Sequence, residues 1–249
     1  MHLGTAVWTE GPVERRTLVA RLASGRLADL NRIEAIRLRK LGEGEPERLA
    51  EALVPPSLRR VLEGGARALA RVRQTVAYAE KWDRRGTLPD ILTPGLESAD
   101  LLPCLPRPSS LRRMDGQSLD RLAVRGSGAE LSAPPQPCLA ALGLAGGTLA
   151  GFCLALEEGG SVVLGTWMTD EWPAGSLELR AGAARRSVSI RAWEGLELPP
   201  LRAGEVLLLP PPKLKPLPAL MAGTEVRLVA GFDTLVLRLG PEDLHPTVQ

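Results

Sequence analysis

The chain has 249 residues, of which 44% are hydrophobic and 24% charged, with a formal net charge of +2. That length can bury a sizeable core in one large or two small domains. The near-neutral balance gives no electrostatic footprint for nucleic acid or an anionic membrane, and five Trp, one Tyr and two Phe are too few for a platform that stacks single strands. Lys40, Lys81, Lys213 and Lys215 are the only lysines; this arginine bias, with many Ala, Gly, Leu and Pro, marks a GC-rich genome rather than a binding adaptation.

In chain order, residues 1–30 are predicted to form short strands: His2 to Thr9, then Thr17 to Leu22, with a Ser24-Gly25 turn into Arg26 to Leu30. Asn31 is placed as the N-cap of a helix through Ile33, Ile36 and Leu41, stopped by Gly42. Pro46 opens a second helix to Leu53, and Pro55-Pro56 ends it. A short turn from Ser57 to Leu62 precedes a longer helix. It carries Leu69, Val72, Val76 and Ala79 on one stripe, with Arg67, Arg71 and Arg73 assigned to its solvated face.

Arg84 to Pro108 has the composition of a linker. Beyond it, Cys138 to Leu156 is apolar and dotted with Gly143, Gly146, Gly147 and Gly151. These glycines lack the spacing and the downstream Lys-Ser/Thr of a phosphate loop, so close packing is their expected role. Strands are expected at Ser161 to Trp167, Ser176 to Arg180 and Ser187 to Trp193, with Trp167, Trp172 and Trp193 either capping the core or forming a partner surface. Leu201 to Leu239 is the most legible stretch. Val226, Leu228 and Ala230 alternate with Glu225, Arg227 and Val229, and the Gly231-Phe232-Asp233 turn leads into Thr234 to Leu239, a hairpin with one buried face. The proline-rich Lys213 to Leu220 is expected to be a surface loop.

Cys104, Cys138 and Cys153 are odd in number and widely spaced, which implies free buried thiols in a reducing compartment. Met1 leads into Leu3, Ala6 and Val7 with no signal-peptide pattern, and no segment reaches the roughly 18 uninterrupted apolar residues of a bilayer span, so a cytoplasmic protein is expected.

The order of these pieces is similar to the fumarylacetoacetate hydrolase superfamily. The resemblance rests on Asp29-Leu30 after a hairpin, on the Pro55-Pro56 to Leu62-Glu63-Gly64-Gly65 segment, and on the junction Leu105-Pro106-Arg107-Pro108-Ser109-Ser110-Leu111-Arg112. The closing strands from Leu201-Arg202-Ala203-Gly204-Glu205-Val206 and Met221-Ala222-Gly223-Thr224-Glu225-Val226 complete it. It spans about the first 113 residues and the last 40. It implies an α+β, mostly β fold: a small hairpin-and-helix domain (1–98) on a reduced mixed β-roll (99–249), usually dimeric. It also implies a carboxylate-bound Mg²⁺ or Mn²⁺ that holds a 2-oxo or 1,3-dicarbonyl acid for hydrolysis, decarboxylation or tautomerisation.

The chain departs from this pattern where the chemistry belongs. Counting from Ser110 puts Arg113 at the family's metal-binding Asp and Asp120 at its catalytic His, seven residues later. Arginine cannot ligate a cation, and an aspartate of ordinary pKa is a poorer base near neutrality than histidine. The only histidines, His2 and His245, lie at the termini, the Glu-x-Glu metal pair is missing, and Glu157-Glu158 are adjacent, so on a strand they face opposite sides. No metal ligands and no cofactor are therefore expected. The leading expectation is a non-catalytic scaffold, regulatory subunit or anion-binding protein, as a homodimer or beside an intact family member. Arg112, Arg113 and Arg121 are candidates either for a small anionic ligand or for a polar rim. The alternatives are an active, metal-free enzyme using Arg112, Asp115 and Asp120, and an interaction module of a larger complex. Asp170-Glu171 is a further carboxylate pair considered for acid–base work.

Overall fold

The computed structural model describes residues 1–10, 12–93, 99–119, 124–125, 130–131, 135–158, 161–211 and 223–239. The chain begins with β1 (His2–Glu10), β2 (Val13–Arg21) and β3 (Leu27–Asp29), paired antiparallel in sequence order, as the turn residues predict. Four helices follow: α1 (Leu30–Lys40), α2 (Pro46–Leu53), α3 (Leu58–Glu63) and α4 (Gly65–Asp83). The expected turn over Ser57 to Leu62 is thus a short helix.

The cap of α1 is Asp29 rather than Asn31. Its carboxylate accepts from the Arg32 amide at 3.2 Å and from the Thr17 hydroxyl at 3.1 Å, which fixes the helix start to β2. Asn31 instead donates its side-chain amide to the Val54 carbonyl at 2.9 Å, tying α1 to the end of α2. Gly42, at φ 84°, lets the chain leave α1 in the left-handed region that ends many helices. Arg67 and Arg73 are exposed on α4 as expected, but Arg71 is drawn inward. It donates to the fully buried Glu34 of α1, which also accepts from the Thr75 hydroxyl at 2.7 Å, so a satisfied buried charge docks α1 on α4.

The predicted linker contains a strand. β4 (Ala99–Leu102) pairs antiparallel with β1, because β1 leaves backbone groups free there that composition alone cannot announce. β5 (Ser110–Arg113), β6 (Val124–Arg125), β7 (Glu130–Leu131), β8 (Gln136–Leu144), β9 (Thr148–Glu158), β10 (Ser161–Leu164), β11 (Met168–Thr169), β12 (Ser176–Ala181), β13 (Ala184–Ser189), β14 (Glu205–Leu209), β15 (Glu225–Ala230) and β16 (Asp233–Leu239) complete the described strands. The strand expected over Ser187 to Trp193 ends at Ser189, because Ser189 caps a 3-10 turn over Ile190–Trp193 by accepting from the Arg191 amide at 3.3 Å.

They form two sheets. In the larger, the order is β3-β2-β1-β11-β9-β8-β14-β5, with β10 on β9, β6 on β10 and β4 on β1; in the smaller it is β13-β12-β15-β16-β7. Most pairs are antiparallel, while β14–β5, β10–β6 and β16–β7 are parallel, which makes both sheets mixed. One core lies between the large sheet and the helices, with Leu58, Val61, Leu69 and Val72 against Cys138, Ala140, Cys153 and Ala155. The other lies between the sheets, with Leu139, Ala141, Phe152 and Leu154 against Leu179, Leu228 and Leu235. β8 and β9 are therefore covered on both faces, which explains why their sequence is continuously apolar rather than alternating. β15 has one core face and one wetter face, and its sequence alternates as predicted.

The glycines of β8 and β9 mark close approaches. A Cβ on Gly143 would fall 2.1 Å from the Arg202 carbonyl oxygen, and one on Gly151 would fall 2.1 Å from that of Thr169. Packing is the role of Gly143 and Gly151, as expected, whereas Gly146 and Gly147, at φ 95° and 80°, serve the β8–β9 turn instead.

Candidate functional site

The register of β5, β8 and β9 gathers a polar cluster at one end of the helix-facing side of the large sheet. On β9, Cys153 and Ala155 face the helical core, so Glu157 projects to the same side. On β5, Leu111 belongs to that core, so Arg113 does too. Arg113 Nε lies 3.5 Å from Glu157 Oε2, with side-chain exposures of 27% and 10%. Neither of these two atoms has a hydrogen-bond partner among the described residues, so the contact is an ion pair held out of water. Gln136 of β8 stands opposite Glu157 in register.

The surroundings tune this pair. Burial pushes the Glu157 carboxyl above its ordinary value; Arg113 opposes that shift and Asp115 adds to it. The neighbouring Cys138 thiol is driven far up, first by burial and then by the Glu157 charge, so it stays protonated and is a poor nucleophile or ligand. Beyond Arg113 the chain turns sharply. Gly116 has φ 89°, the Gln117 amide donates to Asp115 Oδ1 at 3.0 Å, and Arg113 reaches Gln117 Oε1 at 3.3 Å.

The sequence-derived candidates fall differently. Arg112 is adjacent to Arg113 on the strand and projects to the opposite face, where Glu205 of β14 and the Pro200 carbonyl hold it. The two arginines are not brought together on one ligand. Asp115 sits in the turn with its side chain 60% exposed, 3.9 Å from Arg113. Asp120, Arg121 and His245 lie outside the described residues, as does the Lys213 to Leu220 loop. His2 pairs with Thr169, which stands opposite Phe152, five residues from Glu157 on β9. At ~3.3 Å per residue it is roughly 16 Å away, out of reach as a base. Asp170 is engaged by the amino terminus at 2.9 Å and by Arg73 at 2.8 Å. Burial pulls its carboxyl upward, but Arg73 and the amino terminus together hold it below the usual range, and Glu171 is exposed, so these two do not form an acid–base pair. Trp167 and Trp193 are buried in the cores, while Trp172 is 38% exposed and packs edge-on to Phe152 at 4.5 Å. The three cysteines are free and buried.

The cluster does not suit the metal that the resemblance implies. A hard divalent cation needs several oxygen ligands, yet Glu157 is the one carboxylate here shielded from solvent, and a guanidinium already faces it. Among the described residues, no three His, Cys, Asp or Glu side chains are placed to hold a metal ion. Glu157 is the site residue that sequence reasoning passed over. Its adjacency to Glu158 correctly predicts opposite faces, but its actual partner comes from β5, through pairings invisible along the chain.

No protein-family model and no curated protein sequence matches the chain. Solved structures do match. Maleylpyruvate hydrolase from Sphingobium sp. SYK-6 superposes with a TM-score of 0.62 at 12% identity, over 97% of this chain and 100% of that one. The same enzyme in complex with manganese(II) and pyruvate gives 0.60 at 13%, over 97% and 99%. A 2-keto-3-deoxy-D-arabinonate dehydratase complexed with magnesium and 2,5-dioxopentanoate gives 0.54 at 10%, also over 97% and 99%. The chain thus carries the fumarylacetoacetate hydrolase fold, an α+β, mostly β architecture, over nearly its whole length. Its structural neighbours on that fold include a hydrolase and a dehydratase. Among the described residues, no helix is long and apolar enough to cross a membrane.

Proposed function

We propose that the chain is a divergent member of the fumarylacetoacetate hydrolase superfamily that does not perform metal-assisted chemistry. It works as a non-catalytic scaffold, regulatory subunit or anion-binding protein in the cytoplasm, as a homodimer or beside an intact family member. The observation that carries this reading is the Arg113–Glu157 pair: a guanidinium faces the one partly buried carboxylate in the cluster, so both the charge and the ligand count for a divalent ion are lacking among the described residues. The test is an ultraviolet assay on oxaloacetate and acylpyruvates, with and without millimolar Mn²⁺. No turnover above the uncatalysed rate is expected, and co-purification from the native host separates the homodimer from the heteromer.

One observation favours a second reading. A partly buried carboxyl with a raised pKa beside an arginine is the pairing a metal-free isomerase or decarboxylase requires. There Arg113 would hold an enolate oxygen while Glu157 moved the proton at the adjacent carbon. A rate in the same assay that disappears in Glu157→Gln would replace the first reading with this one.

A further inference from the structure

A second concavity shares no lining residue with the Arg113 cluster. It encloses about 180 Å³ where β2, the start of α3 and the segment after β4 meet. Its floor is apolar and rigid, formed by Leu58 and Leu105, both fully packed into the helical core. Three arginines also line the concavity, Arg16 on β2, Arg59 on α3 and Arg107 in the junction. Arg59 shares its charge with Glu63 at 2.9 Å in a solvent-exposed pair. Arg16 and Arg107 are exposed, and neither has a carboxylate partner among the described residues. The Ser57 hydroxyl at the rim caps nothing on α3 and is free to donate.

Each arginine is fixed near the others by its own element. Arg16 is held opposite Val7 in the β1–β2 register, Arg59 follows Leu58, and Arg107 follows Leu105 by two residues. With Arg59 offset in part by Glu63, the charges of Arg16 and Arg107 around a concave, apolar-floored space repel one another and focus positive potential into it. An anion relieves that repulsion, and guanidiniums engage carboxylate or phosphate through paired hydrogen bonds. The volume lies below the roughly 300–1,000 Å³ of pockets for drug-sized ligands, which admits a small oxyanion and excludes a nucleotide.

We infer that this cavity binds a small oxyanion carrying at least two negative charges, a phosphate or a short dicarboxylate, between Arg16 and Arg107, with Arg59 and Ser57 completing the cradle. The site is independent of the reading given to Arg113 and Glu157. The experiment is calorimetric titration of the full chain with inorganic phosphate and, separately, with succinate at constant ionic strength. Saturable binding is expected for at least one probe, weakened about tenfold or more by either Arg16→Ala or Arg107→Ala and retained in Arg113→Met. Both arginines are exposed, so their replacement leaves the fold intact. Binding of phosphate alone assigns a phosphate-bearing ligand, binding of succinate alone a dicarboxylic acid, and binding of both supports the shared chemistry. Absence of saturable binding, binding that survives the Arg16→Ala/Arg107→Ala double variant, or binding lost in Arg113→Met overturns the assignment.

Discussion

The proposed departure from the enzymes that share this fold rests on a few side chains. By the sequence count Arg113 falls where the resemblance implies an aspartate, and in the fold its guanidinium faces Glu157. The partner was not legible. Glu157 reaches Arg113 only because β14 and β8 lie between β5 and β9 in the sheet, a non-local order that local spacing does not encode. Asp233, the residue predicted for the hairpin turn, has a similar hidden role. It accepts from the amides of Thr234 at 2.8 Å and Trp167 at 3.3 Å, joining the small sheet to the large one. Burial raises its carboxyl to about 6 from an ordinary 3.8. A carboxyl raised in the folded state contributes stability that is present below its unfolded pKa and is lost as pH climbs through the folded one. Stability from this group is therefore expected to fall, on the order of 2–3 kcal/mol, between about pH 4 and pH 6. Urea midpoints across that window should decline more steeply in the wild type than in Asp233→Asn; equal slopes would place the titration elsewhere.

Among the elements, the helices and the last hairpin were the most legible, because local periodicity specifies them. The stripe of Leu69, Val72, Val76 and Ala79 fixes α4, and the alternation from Val226 to Ala230 fixes β15. The cap of α1 was misplaced because Asp29 and Asn31 are both good capping types, and Thr17, on a distant strand, decides between them. β4 was hidden because its strand character comes from pairing with β1. β9 gives the clearest test at this scale. Gly151 lies beside Phe152, whose pairing with Thr169 joins β9 to β11 and through it to β1. Since a Cβ at Gly151 would meet backbone rather than a movable side chain, Gly151→Ala must break this joint. A loss of about 3 kcal/mol or more is expected, read as a large drop in melting midpoint. A change below about 0.5 kcal/mol, the range of ordinary surface substitutions, would show that the joint yields.

For the whole molecule, the three layers of helices, large sheet and small sheet follow from where apolar faces must go. The resemblance in the first 113 residues and the last 40 was enough to anticipate the fold that the superposition bears out. The middle was opaque because β8 and β9 are buried on both faces and carry no alternating signature. The proposed difference from neighbours solved with manganese or magnesium therefore rests on a handful of side chains within a shared architecture of sheets. Calorimetric titration of Mn²⁺ into the full chain at neutral pH addresses that difference most directly. No binding tighter than about 1 mM is expected of a lone carboxylate already facing a guanidinium. One equivalent bound in the micromolar range, with the heat abolished by Glu157→Gln, would contradict it.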